Sequence, residues 1–225
     1  MIRVRTDSAG QTYHLDGDDV IAISDISIDI AAGERVALFG PSGSGKSTLL
    51  SLLAGLRRPT SGHVVLGVTD LAALTERELL DVRGRLIGVV LQNPGRSLLP
   101  YGTAEDNVRF AQRALPRERR RALPGPRELL GMLGLDALAG QRSGRLSGGE
   151  QQRLSIAVAV ATRPALLLAD EPTSQLDAHN RDLASALLVR VNEQFGTTLV
   201  VVTHDPAVAD AMHRRITLAE GRVVS

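Results

Sequence analysis

The run Gly40-Pro41-Ser42-Gly43-Ser44-Gly45-Lys46-Ser47 puts three glycines, one ammonium and three hydroxyls into eight positions. It matches the pattern G-x-x-x-x-G-K-[ST] in full. Glycines at this spacing let the backbone curl so that successive N–H groups point inward at phosphate oxygens. Lys46 is then expected to reach the β- and γ-phosphates, Ser47 to coordinate a Mg²⁺ ion, and Thr48 to lie against the same phosphates. Lys46 is also the only lysine among 26 basic residues. A compact ammonium on a flexible stem survives at the one position where phosphate chemistry would use it.

A second group of residues could complete such a site. Leu166-Leu167-Leu168-Ala169 is an apolar run that ends in Asp170 and Glu171. Asp170 is suited to hold Mg²⁺ through water, because this ion dehydrates reluctantly. Glu171, one residue on, is suited to polarise an attacking water. His204 follows the apolar stretch Thr198 to Val202, where an imidazole could touch a γ-phosphate and orient water; a helix-capping or core histidine is the bland alternative. Gln92 follows an apolar stretch ending at Leu91 and offers an amide to Mg²⁺ and water, against the alternative of an ordinary loop residue.

The elements that must position these groups read as an α/β chain. Arg35 to Phe39 is expected as a buried strand running into the glycine-rich loop, and Thr48 to Leu56 as a helix leaving it. Residues 1–30 read as short strands of a β-subdomain, with β-branched alternation at Val20, Ile21, Ile23, Ile26, Ile28 and Ile30 and turns at Gly10 and Gly17. A helix from about Glu76 to Val82 precedes a strand from Leu86 to Leu91. From Ser147 onward, helix and strand alternate through Leu166–Ala169, Asp182–Glu193, Thr198–Val202 and Ala207–Met212. Strands alternating with helices imply a mainly parallel sheet covered on both faces. Residues 94–145 differ: Pro94, Pro100, Pro116, Pro124 and Pro126 are half of the ten prolines. Short helical patterns at Ala104–Ala114 and Arg127–Leu133 mark a helical subdomain inserted between core segments 1–93 and 146–225 of a single domain.

Composition narrows the class. The chain has 225 residues, is 43% hydrophobic and carries a formal charge of +1, which argues against a broad basic surface for nucleic acid. Arg117, Arg119, Arg120 and Arg121 form a local basic run, expected as a solvated helix face. No cysteine is present, which excludes disulfides and thiolate metal sites. The most apolar region, Ile156 to Ala169, is broken by Arg163 and Pro164, short of the roughly 20 apolar residues of a membrane span. A membrane role is therefore expected to come through a partner.

Leu146-Ser147-Gly148-Gly149-Glu150-Gln151-Gln152-Arg153 narrows the reading further. Ser147, Gly148 and Gly149 open a helix, so free N–H groups and the Ser147 hydroxyl are expected to form a second anion site, joined by Glu150. This stretch resembles the signature of ABC-type ATPases, and general phosphate-loop enzymes lack it. The resemblance covers essentially the whole chain. It implies the ABC ATPase fold, an ATP-hydrolysing subunit, and a nucleotide-sandwich dimer in which one copy's phosphate loop and another's signature enclose each ATP. It further implies that Tyr13 stacks on adenine and that Gln92 reports nucleotide state to a transmembrane permease. Asp177, in Ser174-Gln175-Leu176-Asp177, would cross the dimer interface, and His204 would act as a switch histidine. The subunit would be cytoplasmic and peripheral on the inner face of the cell membrane.

Ile87-Gly88-Val89-Val90-Leu91-Gln92, Leu98-Leu99-Pro100 and Leu168-Ala169-Asp170-Glu171-Pro172-Thr173 are similar to the lipoprotein-release and macrolide-exporter group. Polar amino-acid importers share much of this pattern, and a non-transport cell-division scaffold has the same motif content. Lys46 and Ser147 lie 101 positions apart with no sustained heptads between them, which removes the coiled-coil DNA-repair relatives. Leu91 stands where the family often has an aromatic, and Val158 where it often has arginine. Asn93-Pro94-Gly95-Arg96 is an unusual stretch in the loop that would face the permease. If Lys46 carries the phosphate charge, Lys46→Ala lowers ATP affinity by about 10- to 100-fold, the worth of a charged hydrogen bond. Equilibrium titration with a labelled nucleotide reads this directly, and unchanged affinity refutes the role.

Overall fold

The computed structural model describes residues 1–15 and 18–225. Two strands, β1 (Val4–Leu15) and β2 (Asp18–Ile30), pair antiparallel along most of their length. They are longer than the short strands the sequence suggested. Gly10 is not a turn: it lies inside β1, where the register shifts between Asp7 and Gly10 on one side and around Ala9 on the other. A Cβ there would sit 2.5 Å from Ser61 Oγ, so the residue marks a close cross-strand approach and a bulge. Gly17 lies outside the described residues.

The remaining strands and helices follow the expected order. β3 (Arg35–Phe39) feeds the glycine-rich loop, and α1 (Lys46–Leu53) starts inside it, two residues earlier than the pattern indicated. β4 (Ser61–Leu66) and β5 (Thr69–Asp70) complete an antiparallel sheet in the order β2-β1-β4-β5. α2 (Glu76–Leu86) opens on a capping box between Thr75 and Glu78 and runs directly into β6 (Ile87–Val90). Residues 94–145 hold the helices α3 (Ala104–Gln112), α4 (Arg117–Arg120) and α5 (Pro126–Met132). Then come α6 (Gly148–Val160), β7 (Leu166–Asp170), α7 (Ala178–Phe195), β8 (Thr198–Thr203), α8 (Pro206–Asp210), β9 (Arg214–Ala219) and β10 (Arg222–Val223). The second sheet has the order β10-β9-β3-β8-β7-β6, parallel throughout except for the β9–β10 hairpin.

Period-two alternation explains how this sheet is covered on both faces. Leu166 and Leu168 of β7, with Val200 and Val202 of β8, join the cluster under α1 and the antiparallel sheet. Leu167 and Ala169, with Leu199 and Val201, join the cluster under α6 and α7. These eight residues are all apolar because neither face meets water, which is why the strand centres read as continuous hydrophobic runs. The Arg117–Arg120 helix buries none of its side chains, as a solvated face should.

The helices of residues 94–145 do not have a core of their own. Leu129 and Leu130 of α5 and Val108 of α3 share one cluster with Leu154 of α6 and Leu188 of α7. Val158, where arginine was noted as common, packs partly buried against this same cluster. Leu130→Ala should therefore cost about 2–5 kcal/mol, as large-to-small changes at fully buried leucines do. The shared core requires the loss to appear as one shifted unfolding transition in urea. A separate low-stability phase for the helical segment would contradict it.

Candidate active site

Four parallel strands bring the chemistry-bearing residues to one edge. Gly40 follows β3, Gln92 follows β6, Asp170 ends β7 with Glu171 next, and His204 follows β8. The carboxyl ends of parallel strands are where ligands enter such sheets. A cleft of about 960 Å³ opens there. Its lining includes Tyr13, Pro41, Ser42, Gly43, Gly45, Lys46, Ser47, Thr48, Gln92, Glu171 and His204.

The loop takes its shape from left-handed backbone at Gly43 and Gly45, with φ of 78° and 96°, which favours glycine. A Cβ on Gly40 would meet Leu218 O at 2.2 Å, so that residue supports the loop from behind. Ser44 is likewise buried: its backbone N–H donates to Pro41 O and its carbonyl accepts from Gly221 N–H. Lys46 is buried, and its ammonium donates to Gly40 O at 2.8 Å and Pro41 O at 2.6 Å, with Ser44 Oγ at 3.4 Å. The cation is thus held at the loop's centre by groups that a phosphate oxygen could replace.

Ser47 Oγ donates to Asp170 Oδ1 at 3.1 Å. Burial pushes the Asp170 carboxyl above the usual carboxylate range, partly opposed by the Ser47 hydroxyl and by Lys46 and reinforced by the neighbouring Glu171 charge. A hydroxyl, a desolvated carboxylate and the nearby Gln92 amide are hard oxygen donors, the set that fits Mg²⁺. Glu171 has φ of 45°, uncommon for a non-glycine residue, and its N–H donates to Val202 O at 2.9 Å. That twist leaves Glu171 Oε1 2.9 Å from His204 Nδ1. Gln92 Nε2 donates to Ser174 Oγ at 3.2 Å, and Ser174 Oγ donates to Glu171 O at 3.1 Å.

Tyr13 faces the cleft beside Val20 and Ile21, which are 47% and 67% exposed. The Arg57 guanidinium carbon lies 5.0 Å from the Tyr13 ring centroid. Ala22, Glu220 and Gly221 complete the wall. The sequence reading missed Arg57, Glu220 and Gly221, which belong to no motif. For Val20 and Ile21 a signal existed: two adjacent apolar residues in a strand cannot both face the core.

Ser147, Gly148, Gly149, Glu150 and Asp177 lie outside this cleft. Ser147 caps α6 in a capping box with Glu150. The expectation of a free Ser147 N–H needs correction: Glu150 Oε2 accepts from that N–H at 2.7 Å and from the hydroxyl at 2.8 Å. These two bonds hold the Glu150 carboxyl below its usual range. The first-turn donors outside these caps are therefore those of Gly148, which is exposed, and of Gly149, which is buried. Asp177 caps α7, accepting from Asn180 N–H at 3.0 Å, which draws its carboxyl below the usual range together with the Asn180 side chain. In the loop after Gln92, Asn93 Oδ1 accepts from Gly95 N–H and starts a single 3₁₀ turn over Pro94–Arg96.

Residues 23–174 match the family described as "ABC transporter". The chain is 46% identical over 204 residues to the lipoprotein-releasing system ATP-binding protein LolD of Anaeromyxobacter dehalogenans, covering 89% of this chain and 83% of that protein. It is 42% identical to the macrolide export ATP-binding/permease protein MacB 1/2 of Paracoccus denitrificans, covering all of this chain and 33% of that longer one. Among solved structures it is similar to a dimeric ATP-binding cassette in a post-hydrolysis state bound to ADP and Pi. The TM-score there is 0.86 and the identity 37%, over 99% of this chain and 97% of the other. No helix among the described residues is long and apolar enough to cross a membrane. With the phosphate loop, the paired carboxylates and the capped signature helix in place on this fold, the chain belongs to the ABC transporter family, as an ATP-binding subunit of its ATPase kind.

Proposed function

We propose that two copies of this chain enclose two ATP molecules and hydrolyse them to drive a transmembrane permease that acts on the cell envelope. The observation that carries the catalytic part is the Glu171–His204 pair, 2.9 Å apart at the mouth of the phosphate-loop cleft. The envelope part is supported by the names of the relatives, which concern lipoprotein release and macrolide export. The dimer is supported by the dimeric cassette of the same fold. It is also supported by the exposure of Ser147, Gly148 and Asp177 on a surface outside the cleft.

In this reading the adenine lies against Tyr13 and the apolar edge of Val20 and Ile21. The triphosphate runs along the N–H groups of residues 42–48, and the Lys46 ammonium exchanges its loop carbonyls for β- and γ-phosphate oxygens. Ser47 and Asp170, with Gln92, would hold Mg²⁺, which when bound supplies positive charge beside the phosphates. Glu171 polarises a water in line with the γ-phosphate. Held through Nδ1, His204 keeps Nε2 as its remaining polar atom and maintains the geometry of that water and carboxylate. Phosphoryl transfer leaves little covalent work to the protein, so positioning and electrostatics dominate. Gly148 and Gly149 of the second copy close the other side of the triphosphate. Loss of the γ-phosphate removes these contacts, and residues 94–145 carry the opening toward the permease at the inner face of the membrane.

Glu171→Gln should retain ATP binding and lower kcat by about 10²–10⁴, the range for losing a positioned general base. Hydrolysis at the parent rate, measured by phosphate release, would sink the assignment. For Asp170 the folded state binds a proton more tightly than the unfolded chain. Its ionised form therefore costs stability above the raised pKa, and that cost fades as pH falls toward the ordinary carboxylate value. Asp170→Asn keeps an acceptor for Ser47 and removes the buried charge. Without nucleotide and Mg²⁺ at neutral pH, its Tm should rise by a few degrees while hydrolysis is lost; a lower Tm contradicts the electrostatic account.

A further inference from the structure

The two segments offered to a second copy, the signature turn and the loop carrying Asp177, are joined by one side chain that belongs to neither motif. Asn180 sits in the first turn of α7. Its Nδ2 donates to Asp177 Oδ2 at 2.7 Å, beside the bond from its own backbone N–H to Asp177 Oδ1 at 3.0 Å. On the other side, Asn180 Oδ1 accepts from Arg153 Nη1 of α6 at 3.3 Å. Gly149 comes so close that an added Cβ would lie 2.2 Å from Asn180 Oδ1 and 2.5 Å from its Cγ.

The chemistry of this bridge is specific to an amide. The side facing Asp177 must donate to a carboxylate, and the side facing Arg153 must accept from a cation, which fixes the orientation of the amide. Aspartate in the same place would put two carboxylates in contact, and a hydroxyl would lack the reach to both partners. Gly149 is required by the same contact, because any side chain would occupy the space of the amide oxygen.

We propose that Asn180 is a positioning residue that locks the Asp177 loop to the signature turn, so that both meet the second copy's ATP in one fixed relative geometry. The inference rests on the sandwich-dimer reading above. Asn180 touches neither the phosphate loop nor the cleft, so binding of ATP to a single chain does not depend on it. Closure of the dimer does, because a signature turn and an Asp177 loop that move independently must both be ordered on closure.

The test uses Asn180→Ala and Asn180→Asp in the full chain carrying Glu171→Gln, with sedimentation velocity as a function of protein concentration in saturating Mg-ATP. The dimer Kd should rise about tenfold or more in both, as for residues linked in one hydrogen-bond network. ATP affinity measured at protein concentrations below dimerisation should stay within about twofold of the parent. In the otherwise native chain, kcat should fall with little change in KM. Asn180→Asp is nearly isosteric and keeps the packing on Gly149, so it decides the matter if the alanine variant folds poorly. An unchanged dimer Kd in Asn180→Asp overturns the proposal, as does an equal loss of single-chain ATP affinity. Ser147→Arg serves as the control. If it too dimerises like the parent, the sandwich reading fails; if it alone fails to dimerise, that reading stands and only the Asn180 lock is lost.

Discussion

The structure depends on the wedging of the phosphate-loop backbone between β2 and the β9–β10 hairpin. A Cβ on Gly45 would meet Ile23 Cγ2 at 2.5 Å and Ala22 O at 2.7 Å, and the Ser44 carbonyl accepts from Gly221 N–H at 3.2 Å. Gly221 O in turn accepts from Ser24 N–H at 2.9 Å. The loop backbone packs directly on the β2 and β9–β10 backbones and on the buried Ile23 side chain, with little room to adjust. The loop's backbone path is consequently fixed by its neighbours, the kind of rigidity that electrostatic preorganisation requires. The antiparallel sheet, which also lends Tyr13, Val20 and Ile21 to the cleft, thereby braces the glycine-rich loop.

Several local costs accumulate around that loop and are offset by the parallel sheet beneath it. Asp170 is desolvated at the end of β7, and Glu171 carries left-handed backbone one residue later. Both follow a strand whose Leu166, Leu167, Leu168 and Ala169 are fully buried between two apolar clusters. A rigid strand end holds the strained turn, and the turn aims the carboxylate at His204. The arrangement favours a cation beside Asp170 over an ionised carboxylate left alone, so stability and activity pull in opposite directions at this residue.

In the proposed dimer, the fold divides one chain into two complementary halves of a site. The cleft collects phosphate-binding groups at the carboxyl ends of β3, β6, β7 and β8. The signature turn and Asp177 lie elsewhere and bind each other through Asn180 instead. Their own side chains are largely consumed in local caps, Ser147 with Glu150 and Asp177 with Asn180. What they leave to offer is backbone N–H groups at the start of α6. An incomplete anion site of this kind acquires a purpose only when another copy supplies the phosphates.

How much was legible beforehand depended on the range of the interaction. The glycine-rich loop and the apolar runs of β3, β7 and β8 are set by spacing within a few residues, so the sequence alone determined them. The mainly parallel sheet followed from their alternation. Gly10 was misread because glycine serves a turn and a bulged strand equally, and only the partner strand at Ser61 distinguishes the two. Arg57 over Tyr13, Gly221 behind the phosphate loop and Asn180 between Asp177 and Arg153 were decided by the tertiary structure. Each joins residues from different elements, and no local pattern encodes which elements will meet. The sequence by itself determined what chemistry the chain carries, because phosphate-binding geometry is local; the assembled fold decided how rigidly that chemistry is held, because support comes from contacts between distant segments.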